Sequence, residues 1–105
     1  MNYNIEVWIK VLETLKYKIV DELSKMGSDI NIIKANIRLE KTVAYQAYVQ
    51  KVDIYFNYKT GEVRSVTIRE ISPFPNHDDK TIKKEDFINE HLNLFRDHQL
   101  SEILK

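Results

Sequence analysis

"YVQKVDIYFNYKTGEVRSVTIREI", residues 48–71, is the stretch on which the fold turns. Tyr48, Val52, Ile54, Phe56 and Tyr58 alternate with Val49, Lys51, Asp53, Tyr55 and Asn57, the period-two pattern of a strand with one buried face. "YKTGEV" predicts a type I turn over Lys59 and Thr60, with Gly61 left-handed in a bulge, and such a turn sets the hairpin register. Tyr58 then faces Glu62, Phe56 faces Arg64, Ile54 faces Val66 and Val52 faces Ile68. This pairing sorts the two strands into an apolar face (Val52, Ile54, Phe56, Val66, Ile68) and a polar one (Lys51, Asp53, Ser65, Thr67, Arg69). Turn chemistry and hydrophobic alternation therefore agree on one register.

Toward the N-terminus, Ile33, Ala35, Ile37 and Leu39 alternate with Lys34, Asn36, Arg38 and Glu40 and predict a preceding strand. Between the two, "EKTVAYQA" (residues 40–47) has no Gly, Pro or Asn, so a hairpin loop, a bulge and a continuing strand all remain open. Further back, Ile5, Trp8, Leu12, Leu15, Ile19, Leu23 and Met26 recur every three or four positions and predict one helix over residues 4–26. Asn2 or Asn4 suits its start, Gly27 suits its end, and Glu6/Lys10 and Asp21/Lys25 have ion-pair spacing. A rod of this length, about 35 Å, has to lie across something equally long, such as a sheet.

Beyond the hairpin, "ISPFPNHDDK" (residues 71–80) holds both prolines of the chain. Proline stops ladder extension and a polar residue near the segment's end can cap a helix, which reads first as a connector. As a functional loop it would present Phe74, Asn76, His77, Asp78 and Asp79 to a partner or a metal. Phe87, Ile88, Leu92, Leu94 and Phe95 predict a second helix over residues 83–98, and "LSEILK" either extends it or forms a separate turn. The expected fold class is α+β. One two-layer domain over residues 1–105 carries a three-stranded, mainly antiparallel sheet with a long N-terminal helix and a C-terminal helix, in the order α-β-β-β-α. Its expected core is Trp8, Leu12, Leu15, Ile19, Leu23, Ile37, Leu39, Val52, Ile54, Phe56, Val66, Ile68, Ile88, Leu92 and Phe95.

The 105 residues include no cysteine, which removes disulfides, thiolate metal ligation and cysteine nucleophiles. No signal-like or membrane-length apolar run appears, so a cytoplasmic protein without membrane contact is expected. Sixteen basic and sixteen acidic residues cancel, which weighs against a dedicated nucleic-acid binder. Lys80, Lys83 and Lys84 are the local patch such a binder would use. The element order is shared with double-stranded-RNA-binding domains, but the glycine-rich lead-in is missing and Glu85, Asp86 and Glu90 follow the lysines at once, so no membership is assigned.

No glycine-rich phosphate loop, dinucleotide fingerprint or nucleophile-base spacing is present, and no catalytic residue is assigned. His91 and His98 are seven residues apart, about 10 Å along a helix, too far to share one ion, and no metal or other cofactor is expected. His91 should sit at the edge of the apolar stripe, and His98 has the spacing to pair with Glu102. The expected function is a small non-enzymatic protein-interaction domain, of the immunity, inhibitor or adaptor kind, whose partner is another protein. The expected partner-binding residues are Tyr55, Asp53, Arg69, Lys51, Phe74 and His77. Nucleic-acid binding through the lysine patch is the alternative, a small enzyme using the 73–79 loop is a further one, and a homodimer is left open. The third strand is a candidate edge, with Arg64, Arg69 and Glu70 guarding it.

Overall fold

A computed structural model describes residues 3–22, 29–40, 47–71 and 79–104. The elements are α1 (Ile5–Thr14), β1 (Lys18–Glu22), β2 (Ile30–Glu40), β3 (Ala47–Asn57), β4 (Val63–Ile71), β5 (Lys80–Ile82), α2 (Lys84–Glu90) and α3 (Leu92–Ile103). The five strands form one antiparallel meander in the order β1-β2-β3-β4-β5. The fold is α+β with helices at both ends of the chain, but its sheet has five strands where the sequence reading gives three.

The hairpin that anchors the reading forms largely as expected. Val52 pairs with Ile68 and Ile54 with Val66. Gly61 is left-handed, with φ 78°. The Asn57 carboxamide Oδ1 accepts the N–H groups of Lys59 and Thr60, while the Asn57 carbonyl accepts the Gly61 N–H at 2.7 Å. The register changes between Tyr55 and Phe56, so Phe56 faces Val63 rather than Arg64, and Asn57 rather than Tyr58 bonds Glu62.

The long helix is where the sequence reading fails. α1 stops at Thr14 because Lys16 turns left-handed, with φ 71°. Its N–H bonds the Glu13 carbonyl at 3.0 Å and the Tyr17 N–H bonds the Leu12 carbonyl at 2.9 Å, the paired bonds of a Schellman motif. Leu12 and Tyr17, the apolar residues that clamp such an ending, are both buried. The chain then reverses into β1, where Ile19 faces Ala35 and contributes to the core from a strand. Of the expected helix, Leu23, Lys25, Met26 and Gly27 lie outside the described residues.

Lys80–Ile82, at the end of the proline segment, extend the sheet, so Ile68 to Glu70 of β4 are paired on both sides and, among the described residues, the edges are β1 and β5. The C-terminal helix is broken at His91 (φ −117°, ψ 30°) into α2 and α3, and the tail extends α3 to Ile103. The segment 41–46, whose form the sequence leaves open, and residues 72–78, which include Phe74 and His77, lie outside the described residues.

All three helices contribute to one core on one face of the sheet. Trp8, 1% exposed, is its centre. Its ring stacks on Phe87 at 5.7 Å and meets Phe95 edge-on at 4.7 Å, while Tyr3 covers Phe95 at 4.9 Å. Below these rings lie Ile33, Ala35, Val52, Ile54 and Ile68. Of the expected core, Trp8, Leu12, Val52, Ile54, Ile68, Ile88 and Phe95 are buried, and Leu15, Ile19, Ile37, Leu39, Phe56, Val66 and Leu92 are half-buried. Lys10 pairs with Glu102 and His98 Nε2 meets the Thr14 hydroxyl at 3.2 Å, fastening α3 to α1. His98 therefore has Thr14 as its neighbour, not Glu102.

Candidate functional site

The meander leaves two surfaces with chemistry. The first is the sheet face opposite the helices. Strand register builds it in rows: Lys18, Asn36, Lys51, Arg69 and Thr81 run side by side across all five strands. A neighbouring row holds Val20, Lys34, Asp53 and Thr67, and the next holds Ile32, Tyr55 and Ser65. Four of the expected partner-binding residues, Lys51, Asp53, Tyr55 and Arg69, thus share one face. Lys51 and Arg69 are exposed, whereas Asp53 and Tyr55 are half-buried among their cross-strand neighbours. Glu22 and Glu40 occupy register positions of the same parity near the strand ends.

The second surface is a cleft of about 660 Å³ on the helical side, between the end of α1, α2 and strands β2 to β5. Across its floor Ile37, Gln50, Glu70 and Lys80 are successive register partners. Gln50, 8% exposed, is the buried polar side chain of the described core. The Tyr17 hydroxyl donates to its Oε1, and its Nε2 donates to Glu70 Oε1 at 3.4 Å. Leu15, Ile37, Leu39 and Ile82 supply apolar wall, and Tyr48, Asp86, Glu90 and His91 complete the rim with Lys80 and Lys83. His91 packs against Phe87 at 4.8 Å, at the edge of the apolar cluster as its neighbours in sequence predict.

Burial, and then the carboxylate of Glu90, the Tyr48 phenol and Glu70, push the Tyr17 phenol far above its ordinary range. The Tyr48 phenol is raised as well, first by burial and then by Glu70 and Glu90. Both rings therefore stay neutral at physiological pH, and the Tyr17 hydroxyl keeps the proton it donates to Gln50. The carboxylates of β4 and α2 act on the same small volume.

The lysines proposed for nucleic acid line two depressions, with Lys83 common to both. Lys80 and Lys83 stand at the mouth of the cleft, while Lys83 and Lys84 border a separate groove of about 400 Å³ with Arg64 and Glu85. The 73–79 loop falls outside the described residues except for Asp79, which is exposed. Among the described residues, no helix is long and apolar enough to cross a membrane.

The sequence reading misses the cleft. A signal was present: extending the Val52/Ile68 pairing by two residues places Gln50 opposite Glu70 at core-facing positions, where the alternation calls for apolar side chains. Tyr17 and Glu90 carried no such signal, because their approach to Gln50 depends on the helix ending at Lys16 and on α2 crossing β4. Comparisons with protein-family models, curated sequences and solved structures return no significant match, so the functional reading rests on the side chains themselves.

Proposed function

We propose that the chain is a small non-enzymatic protein-interaction domain, which binds and blocks or holds another protein through the sheet face opposite the described helices. The observation that carries this is the direct cross-strand pairing of Lys51 with Arg69 on that face. Like charges opposite one another destabilise a sheet, so the pair costs the isolated domain stability. An acidic surface on a partner would remove that repulsion. Tyr55 adds a large, rigid contact area and a hydroxyl within the same patch, a composition typical of recognition surfaces. Immunity, inhibitor and adaptor proteins need no more than such a face on a stable scaffold.

The test is affinity capture from a lysate of the source cell, with and without nuclease, followed by binding measurements on the partner recovered. Tyr55→Ala, Lys51→Glu and Arg69→Glu are expected to weaken it by about tenfold or more each, since a residue central to an interface typically contributes over ~1 kcal/mol. Thermal stability should stay near wild type in Tyr55→Ala and should rise slightly in Lys51→Glu and Arg69→Glu, each of which replaces the like-charge pair with an opposite-charge one. Unchanged affinity in all three variants would place the interface elsewhere, and nuclease-sensitive recovery that falls with Lys83→Gln and Lys84→Gln would favour nucleic acid instead.

A further inference from the structure

We infer that the cleft between α1, α2 and the sheet is a binding site for a small amphipathic amine, whose ammonium group sits on Glu70 and whose apolar body lies against Leu15, Ile37 and Leu39. This inference is independent of the partner-binding face, which lies on the other side of the sheet. A volume of about 660 Å³ falls within the usual range for small-ligand sites, and the lining combines apolar walls with a few convergent polar groups.

The polarity of the floor selects the charge. Tyr17 donates to Gln50, and Gln50 in turn donates to Glu70, so each hydrogen bond is directed toward the carboxylate. That single bond, at 3.4 Å, is the one Glu70 makes among the described residues. A carboxylate has about four acceptor positions, and those remaining can receive an ammonium group. Lys80, its register partner on β5, is exposed and forms no ion pair with it among the described residues. Glu90 adds a second negative charge from α2, and the aromatic residues Tyr17 and Tyr48, which can attract a cation through their rings, line the same cleft. An anion placed between Gln50 and Glu70 meets two carboxylates and a carbonyl oxygen already committed to Tyr17, while the cations of the lining, Lys80 and Lys83, stand exposed at the mouth.

An apolar floor would have been the cheaper way to build this domain, since a buried amide gains little net stability even when its hydrogen bonds are made. Gln50 and Glu70 interrupt the apolar run of Val52, Ile54, Val66 and Ile68 on the same face, at the point that the described helices do not cover. The gap and the polar residues coincide, which is what a binding site requires and a core does not.

The experiment is an NMR titration of the intact chain with three probes of one shape and different charge: phenethylammonium, 2-phenylethanol and phenylacetate. Phenethylammonium is expected to shift the Gln50 side-chain amide and the Tyr48 backbone amide and to bind at least about tenfold more tightly than phenylacetate, equivalent to ~1.4 kcal/mol. Glu70→Gln should abolish that preference, and Glu90→Gln should reduce it should Glu70→Gln not fold. Tyr55→Ala, on the opposite sheet face, should leave it intact. Equal or tighter binding of phenylacetate, shifts confined to residues outside the cleft, or no shift in the wild-type protein at millimolar probe would each overturn the inference.

Discussion

The carboxamide of Asn4 occupies the space that a side chain on Gly61 would need. A Cβ built on Gly61 falls 2.6 Å from Asn4 Nδ2 and 2.8 Å from Oδ1, and the Gly61 carbonyl accepts the Ile5 N–H at 2.9 Å. The same Asn4 caps α1, its Oδ1 accepting the Glu6 N–H at 3.0 Å. The β3–β4 turn and the start of α1 are thereby one structural unit. Gly61→Ala adds left-handed strain of roughly 1 kcal/mol and displaces a cap of similar worth, so it should lower stability by about 2 kcal/mol. Asn4→Ala should cost about 1 kcal/mol. The double variant should lose less than the sum in denaturant unfolding, because both changes remove the same cap.

Lys16 tests the helix ending. A lysine at φ 71° carries a backbone cost that glycine lacks, and the Lys16 side chain is exposed. Lys16→Gly should raise stability by about 0.5–1 kcal/mol after the entropy it adds to the unfolded chain, whereas Lys16→Val should lower it. Both are read from the denaturation midpoint. An unchanged midpoint in both variants would mean that Leu12 and Tyr17 hold the turn without regard to the residue between them.

That turn also explains what the sequence conceals. Leu15 and Ile19 continue the helical spacing of Ile5, Trp8 and Leu12 although they lie on either side of a chain reversal, because three- or four-residue spacing also fits a residue that reaches the core from a short strand. Glycine at position 16 would have marked the ending; lysine does not. β5 is similarly hidden, since three residues are too few to establish an alternation and they directly precede the helix signal of Glu85 and Asp86. The β3–β4 hairpin was legible because turn residues and alternation specify it twice over. Of the candidate surfaces, the open sheet face follows from that register alone, while the cleft needs contacts between elements far apart in the chain.

Packing around Trp8 should dominate the stability of the domain. Its ring contacts both C-terminal helices through Phe87 and Phe95, so truncation removes the common support of α1, α2 and α3. Trp8→Ala should cost about 3–5 kcal/mol, a large share of the ~5–15 kcal/mol available to a small domain. Tyr55→Ala, on the sheet face opposite the core, should change stability by less than about 1 kcal/mol. The contrast, measured in urea, separates the residue that holds the fold from the one proposed to meet a partner.

Tyr17 gives the domain an alkaline limit. Its phenol is raised in the folded state by burial and by Glu90, Tyr48 and Glu70, while in the unfolded chain it titrates near its ordinary value of 10.0. Below that pH both states hold the proton and this group adds no slope. Above it the unfolded chain releases the proton and the native chain keeps it, so stability should fall by up to about 1.4 kcal/mol per pH unit. Phenolate absorbance should rise in two steps, with Tyr17 titrating last or only as the protein unfolds. In Tyr17→Phe that contribution to the slope should vanish, but at neutral pH the variant should lose about 1–2 kcal/mol because the buried Gln50 oxygen is left without its donor. An unchanged alkaline slope in Tyr17→Phe would assign the limit to other groups and remove Tyr17 from the hydrogen-bonded floor of the cleft.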